Sequence, residues 1–274
     1  MDGLASPKNR LLAVAAMSAV CGGVAGGLYA SRGRTPAVED PPKTVSVLTP
    51  RDIALRSFAS VVLVTTKDMK GRPIASGSGF VVRKGVVATS FHVLRGAASG
   101  NVRLVGEQES IKIAGVFAVD EATDLAVLAV PSLEAAPLPL GESNGVAIGD
   151  RIFVVGNPQD LEGTFSEGIV SGKRKLDGVR MLQITAPISG GSSGGPVLDG
   201  RAEVVGVAAS SLRSGQNLNF AINGDYLAPM LQNLGDVQEL AKVAGPPPRE
   251  KPVQTARAGA GGFFRHLARW LHLR

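Results

Sequence analysis

Residues 51–235 consist of short, β-branched apolar runs that glycines interrupt at short intervals. Helical patterns occur only at the two ends of this region, in residues 52–58 and 226–234. Because strands do not alternate with helices, an α/β fold is disfavoured, and regularly spaced short strands favour an all-β barrel or sandwich. The clearest runs are residues 61–64, 80–82, 125–128, 152–155 and 204–207.

The net charge of +6 is concentrated at the two ends of the chain. Residues 1–36 carry a net charge of +3 and residues 245–274 carry +5, whereas residues 37–244 carry −2. This distribution indicates a membrane surface at the ends and argues against nucleic-acid binding by the folded region. The single cysteine, Cys21, excludes an intramolecular disulfide and a cysteine-based zinc site.

An uncharged apolar segment of twenty residues, 11–30, lies between basic flanks near the N-terminus. As a helix it would span about 30 Å, the thickness of the hydrocarbon core of a bilayer. The length favours an uncleaved signal anchor over residues 1–30, and a cleaved signal peptide and a buried helix remain open alternatives. Residues 31–50 contain prolines and charges, which predicts a linker before the folded region.

A second proline- and glycine-rich stretch lies within residues 236–274 and ends in the sequence FFRHLARWLHLR. Apolar residues with helical spacing and interspersed Arg and His predict a short, basic amphipathic helix. Docking on a membrane or in a partner groove is one interpretation. A frayed tail is the other, because about three turns of helix are marginally stable in water.

The most informative segment is residues 189–197, with the sequence SGGSSGGPV. A serine in a glycine-rich turn can expose its hydroxyl, and free backbone N–H groups in such a turn can point at a developing oxyanion. His92 follows an apolar run, and Asp124 opens another run downstream. Each feature alone is ordinary, but together with Ser193 they give the order His, Asp, Ser found in chymotrypsin.

Gly191, Ser193 and Gly195 also fit the GxSxG elbow of α/β-hydrolases. That fold requires its histidine after the serine. The only histidines after Ser193 are His266 and His272, both in the C-terminal tail, so we exclude this alternative.

The middle of the chain, roughly residues 50–235, resembles the protease domain of the HtrA/Deg family of trypsin-like serine proteases. Six short motifs occur in the order of that family: GSGF at 77–80, HV at 92–93, DLAVL at 124–128, GNP at 156–158, SGGP at 193–196 and NFAI at 219–222. The resemblance implies an all-β fold of two six-stranded antiparallel barrels over residues 51–235, with the active site in the cleft between the barrels.

Carried over by motif, the resemblance assigns Ser193 as the nucleophile, His92 as the general base and Asp124 as the group that orients the imidazole. The backbone N–H groups of Gly191 and Ser193 would form the oxyanion hole. Pro187 and Ile188 would line the primary specificity pocket. No aspartate precedes the nucleophile there, so we expect small or medium aliphatic side chains to bind.

Two features depart from the family. The loop before the nucleophile reads Ser189-Gly190-Gly191-Ser192, where the family usually has Asn-Pro-Gly-Asn. Two adjacent glycines without the proline should make this loop mobile, so we hypothesise that the oxyanion hole forms only part of the time and that activity is inducible. The residues after 235 are also too few for the PDZ domain that often follows the protease.

The leading hypothesis is a serine endopeptidase that cleaves unfolded or extended polypeptides, tethered to a membrane or released from it, in an extracytoplasmic compartment. The competing hypothesis is a binding or chaperone-like module with little turnover on the same fold. Metal-ligand clusters, phosphate loops and nucleotide motifs are absent from the sequence, so no cofactor is expected. The family resemblance is compatible with a homo-oligomer.

Overall fold

The computed structural model describes residues 48–157, 163–211 and 218–246, without the side chains of Ser210 and Ser211. The predicted anchor, most of the predicted linker and the amphipathic tail lie outside these ranges, so they stay predictions. Within the described ranges, no helix is both long enough and apolar enough to cross a membrane.

Helix α1, Pro50–Phe58, opens the folded region and matches the predicted helix at residues 52–58. Its first turn is capped reciprocally. The backbone N–H of Asp52 donates to the Thr49 hydroxyl, and the backbone N–H of Thr49 donates to the Asp52 carboxylate. The Thr49 hydroxyl also donates to the Asp52 carboxylate at 2.6 Å, and this hydrogen bond, together with the one from the Thr49 backbone N–H, lowers the pKa of Asp52. The cap places the start of the folded region before residue 51, inside the predicted linker.

The first sheet contains seven antiparallel strands. Their order across the sheet is β5-β4-β1-β2-β3-β7-β6. The strands are β1 (Val61–Lys67), β2 (Pro73–Arg83), β3 (Val86–Ser90), β4 (Ser99–Leu104), β5 (Ile111–Lys112), β6 (Gly115–Asp120) and β7 (Leu125–Ala129).

The second sheet is a closed six-stranded barrel in the order β10-β13-β12-β11-β8-β9. Every neighbouring pair is antiparallel. The strands are β8 (Arg151–Gly156), β9 (Thr164–Leu176), β10 (Val179–Ile184), β11 (Pro196–Leu198), β12 (Val204–Ser211) and β13 (Asn219–Asn223). The predictions of an all-β fold and of a six-stranded second barrel are confirmed.

The first sheet differs from the closed six-stranded barrel that we predicted. Strand β5 has only two residues. The outer edge of β6 is paired with a segment that follows the last barrel strand in the chain. Val116 and Gln238 exchange both backbone hydrogen bonds there, each at 2.9 Å. Because the edge of β6 is occupied in this way, it is not available to close the sheet onto β5.

The folded region also extends past residue 235, where we had placed its end. A 3₁₀ turn, Gly224–Tyr226, leads into helix α2, Leu227–Gln232, close to the predicted helix. After Gln238, helix α3 (Leu240–Val243) packs onto the first sheet, with Leu240 and Ala244 buried in its core. Residues 236–246 are therefore part of the fold rather than a linker.

Three groups of buried apolar side chains stabilise these layers. One lies within the first sheet and includes Val64 and Leu128. A second lies within the barrel and includes Val154 and Ile184. The third joins the two, because it contains residues of both sheets, such as Phe80 from β2 and Phe153 from β8. This shared core contains residues of β3 from the first sheet and of β11 from the barrel, so it holds these two strands together in one folded unit.

Candidate active site

His92 lies in a single 3₁₀ turn, Phe91–Val93, directly after β3. The apolar neighbours Phe91 and Val93 are buried, whereas the imidazole is 24% exposed. The chain thus buries the residues on both sides of His92 and leaves its ring partly open to solvent.

Asp124 lies in the tight turn between β6 and β7, and its side chain is buried. Its backbone has φ +56°, a left-handed conformation that Asp adopts more readily than most residues. The turn is supported by Asp120, whose Oδ1 accepts the backbone N–H groups of Ala122 and Thr123. This geometry aims the Asp124 carboxylate at the turn that carries His92.

Three hydrogen bonds join Asp124 to that turn. Oδ2 lies 2.6 Å from Nδ1 of His92, and Oδ1 accepts the His92 backbone N–H at 2.8 Å. The carbonyl of Asp124 accepts the backbone N–H of Phe91 at 2.9 Å. An ionised carboxylate can only accept hydrogen bonds, so the Nδ1 proton points at Asp124, and in the neutral imidazole Nε2 then carries the lone pair.

Ser193 lies in the loop between β10 and β11, and this loop is docked against the first sheet. The backbone N–H of Ser78 in β2 donates to the Ser193 carbonyl at 2.8 Å. The next residue, Gly194, has φ +86°, and a Cβ on it would lie 2.8 Å from the backbone nitrogen of Ser90. Only glycine allows this approach, which sets Ser193 beside the segment leading into His92. The Ser193 hydroxyl donates to the carbonyl of Ala209 at 2.9 Å.

The loop before Ser193 forms a closed turn. The backbone N–H of Ser192 donates to the carbonyl of Ser189 at 2.9 Å. Gly191, the third residue of the turn, has φ +95°, as a type II turn requires. Among the described residues, none accepts a hydrogen bond from the backbone N–H of Gly191 or of Ser193. Within the described ranges, both N–H groups that we predicted for the oxyanion hole therefore lack a hydrogen-bond acceptor.

The segment that carries Pro187 and Ile188 runs beside the barrel. Ser166 of β9 donates its hydroxyl proton to the Pro187 carbonyl at 2.8 Å, and Asn219 of β13 donates its amide to the Ala186 carbonyl at 2.8 Å. Pro187 is exposed, and Ile188 is half-buried against the barrel core. These contacts fix one apolar wall next to the loop of Ser193.

The trypsin-like peptidase domain family matches residues 77–207. The crystal structure of Deg5 is 30% identical and superposes with a TM-score of 0.56 over 65% of this chain and 90% of its own. The HtrA-type protease AlgW, solved with a tripeptide, is 27% identical with a TM-score of 0.62 over 68% of this chain and 63% of its own.

The chain belongs to the HtrA-type serine proteases of the trypsin fold. The probable periplasmic serine endoprotease DegP-like of Rickettsia prowazekii is 33% identical over 178 residues, 60% of this chain and 34% of that protein. The anti-sigma-I factor RsgI9 of Acetivibrio thermocellus is 32% identical over 207 residues, 75% of this chain and 29% of that protein. The chain thus spans about a third of the length of these curated relatives.

Two residues of this HtrA-type site were not singled out from the sequence. Ser78 and Asn157 were noted only as letters of the GSGF and GNP motifs, yet both are buried: Ser78 hydrogen-bonds Gly191 of the nucleophile loop, and Asn157 hydrogen-bonds Ser78. The signal that could have found them is a serine between two glycines within an apolar strand and an asparagine directly after another, since a buried polar group must find a partner. In the described ranges, no three His, Cys, Asp or Glu side chains are grouped to hold a metal ion.

Proposed function

We propose that this chain is a serine endopeptidase that cleaves unfolded or extended polypeptides through an acyl-enzyme. The observation that carries the proposal is the pair of hydrogen bonds from the Asp124 carboxylate to His92, with the loop of Ser193 docked beside them. The family of the chain supports the same reaction, since DegP-like relatives are named serine endoproteases.

The chemistry proceeds in two halves. The Ser193 hydroxyl leaves the Ala209 carbonyl, gives its proton to Nε2 of His92, and its oxygen attacks the carbonyl carbon of the scissile bond. Asp124 stabilises the imidazolium that results. His92 then protonates the amine as the C–N bond breaks. In the second half a water molecule gives a proton to His92 as its oxygen attacks the acyl carbon, and His92 returns that proton to the Ser193 oxygen as the ester bond breaks and the acid leaves.

The oxyanion of each tetrahedral intermediate would be stabilised by the backbone N–H groups of Gly191 and Ser193. Loss of one such donor typically lowers the rate about 10²–10³-fold. The Ala209 carbonyl, once the hydroxyl has turned away, can accept a backbone N–H of an extended substrate. The wall of Pro187 and Ile188 is apolar, which supports a preference for aliphatic side chains.

An extracytoplasmic location is part of the proposal. It is supported by relatives that are named periplasmic and by the apolar segment at residues 11–30. Mass spectrometry of the N-terminal peptide of the mature protein distinguishes a retained anchor from a cleaved signal. Loss of residues 1–30 from the mature protein would contradict anchoring while leaving the location intact.

A fluorophosphonate probe tests the catalytic proposal. We expect the full-length protein to be labelled on Ser193 and to hydrolyse an unfolded protein such as casein. The Ser193→Ala variant should lose both labelling and hydrolysis. The Ser192→Ala variant is the matched control, because it removes the adjacent hydroxyl, and it should still be labelled.

The second candidate function is a binding or chaperone-like module with little turnover. The observation in its favour is the loop sequence of Ser189, Gly190, Gly191 and Ser192, which lacks the proline of the family. Absence of labelling and of hydrolysis in the wild type, with retained binding of unfolded casein, would establish this candidate and overturn the enzyme.

A further inference from the structure

The hydroxyl of Ser78 connects three segments of the chain at the candidate active site. Ser78 is fully buried in β2 of the first sheet. Its Oγ lies 2.7 Å from the carbonyl oxygen of Gly191 and 2.9 Å from the backbone nitrogen of Asn157. Gly191 belongs to the nucleophile loop and Asn157 follows β8, so one side chain of the first sheet reaches both parts of the barrel.

The direction of these hydrogen bonds is determined by chemistry. A backbone N–H can only donate, so Asn157 must donate to the Ser78 oxygen. A carbonyl can only accept, so the single Ser78 hydroxyl proton must go to Gly191. The Asn157 side-chain amide adds a longer contact to the same oxygen at 3.4 Å. The hydroxyl is thereby fully used, and no rotation can satisfy the same partners in another way.

The contact with Gly191 restrains the peptide that follows it. The carbonyl of Gly191 is held by Ser78, and the N–H of the same peptide, on Ser192, is held by the carbonyl of Ser189. Rotation on the C-terminal side of Gly191 would break both hydrogen bonds. The only freedom left at this glycine is the rotation that turns its own N–H toward or away from the oxyanion.

We propose that Ser78 is a positioning residue whose hydroxyl holds Gly191 so that its backbone N–H can stabilise the oxyanion. The inference rests on the proposed protease function. In a loop with two adjacent glycines, the local sequence does little to favour one backbone conformation. The Ser78 hydrogen bond supplies that preference from the first sheet, together with the backbone bond from Ser78 to the Ser193 carbonyl.

A matched control exists in the same protein. Ser143 is also fully buried, donates its hydroxyl proton to a backbone carbonyl, that of Val205, at 2.6 Å, and accepts a backbone N–H, that of Asp225, at 3.2 Å. Its partners are not in the nucleophile loop. Ser78→Ala and Ser143→Ala therefore remove equivalent hydrogen bonds and should lower the melting temperature to a comparable extent, but only the first releases Gly191.

The test compares both variants in the full chain with a fluorogenic peptide and a peptidyl trifluoromethyl ketone. We expect Ser78→Ala to lower kcat about 10- to 100-fold, less than the loss of a whole oxyanion donor, with KM changed less than about threefold. The Ki of the ketone, which forms an oxyanion on the enzyme, should rise by the same factor as kcat/KM falls. Ser143→Ala should change each of these quantities less than about threefold. Equal effects of the two variants on kcat would overturn the proposal.

A second measurement does not depend on activity. Hydrogen exchange of the Ser192 backbone amide, followed by NMR, should accelerate in Ser78→Ala and not in Ser143→Ala. If the wild type neither cleaves peptides nor reacts with the probe, the protease function fails, and the exchange data still decide whether Ser78 orders the loop. Unchanged exchange would refute that role. Should Ser78→Ala not fold, Ser78→Cys keeps a weaker donor and should show intermediate kcat and exchange, whereas wild-type values would refute the role.

Discussion

The carboxylate of Asp124 hydrogen-bonds His92 at two places, the ring Nδ1 at 2.6 Å and the backbone N–H at 2.8 Å. The backbone contact fixes where the turn of His92 lies, and the ring contact fixes which nitrogen carries the proton. One buried side chain thus determines both the position and the tautomer of the proposed general base.

Asp124→Asn should separate these two effects. The asparagine oxygen can still accept the His92 backbone N–H, but its NH₂ group would donate to Nδ1 and move the proton to Nε2. We therefore expect kcat to fall by about 10⁴-fold with little loss of stability. Asp120→Asn is the control, because Asp120 accepts two backbone N–H groups of the same turn and an amide oxygen can replace it. A kcat for Asp124→Asn within tenfold of wild type would contradict the assigned role.

Gly168→Ala should displace the apolar wall of Pro187 and Ile188, which we propose contacts the substrate. A Cβ at Gly168 in β9 would lie 2.7 Å from the Cα of Ala186, a backbone atom that must move. We expect a loss of about 1–3 kcal/mol in unfolding free energy, because the strand is overpacked, and an increase in KM because residues 187 and 188 follow Ala186. Peptide hydrolysis and urea unfolding measure the two effects.

The control for this prediction lies in the same strand. The three atoms nearest to a Cβ at Gly172 all belong to the guanidinium of Arg174, the far end of a flexible side chain. Gly172→Ala should therefore leave KM unchanged and alter stability by less than about 0.5 kcal/mol. An unchanged KM in Gly168→Ala would show that the wall does not contact substrate.

Leu240→Ala tests whether the segment after residue 235 stabilises the fold. Leu240 is 5% exposed and packs into the core of the first sheet. We expect its truncation to cost about 2–5 kcal/mol, as for other buried leucines. Lys242→Ala in the same helix removes only an exposed ion pair with Glu239 and should cost less than about 1 kcal/mol. Similar values for both variants would mean that α3 is not part of the cooperative fold.

What the sequence predicted correctly depended on local patterns. Strands β1, β7 and β8 were visible as short β-branched runs, because β-branched side chains pack well on the pleated surface of a sheet. The assignment of His92, Asp124 and Ser193 as site residues rested on their order and on the glycines around the serine, and it stays a prediction. The contact between His92 and Asp124 follows once both lie in turns at the ends of paired strands, β3 and β7.

What the sequence did not predict depends on contacts between distant segments. The Ser78 hydroxyl contacts Gly191, 113 positions away, and Asn157, 79 positions away, and no local pattern links them. Gln238 lies in a polar, alanine-containing stretch that reads as a linker until the free edge of β6 pairs with it. The open first sheet follows from the same pairing, since a strand edge accepts whichever segment is brought to it.

Gly190→Pro tests whether the nucleophile loop is ordered only part of the time. Gly190 is the second residue of the turn closed by Ser189 and Ser192, where proline fits a type II turn. A Cβ there meets no atom within 4 Å, so the substitution has space. Replacing a flexible residue by proline at a compatible site favours the ordered state by about 0.4–1 kcal/mol, which is about a two- to fivefold change in population.

We therefore expect Gly190→Pro to raise basal kcat/KM by about two- to fivefold, measured with a fluorogenic peptide, and to reduce any further gain from an activating ligand. Gly191→Ala should act in the opposite direction. Its φ of +95° is strained for alanine, so the conformation needed for the Gly191 N–H becomes less populated and kcat falls. Equal rates for Gly190→Pro and wild type would mean that the loop is already ordered in the free protein. The inducible activity that we inferred from the two glycines would then be wrong, because the Ser78 hydrogen bond and the turn alone would suffice to hold Gly191.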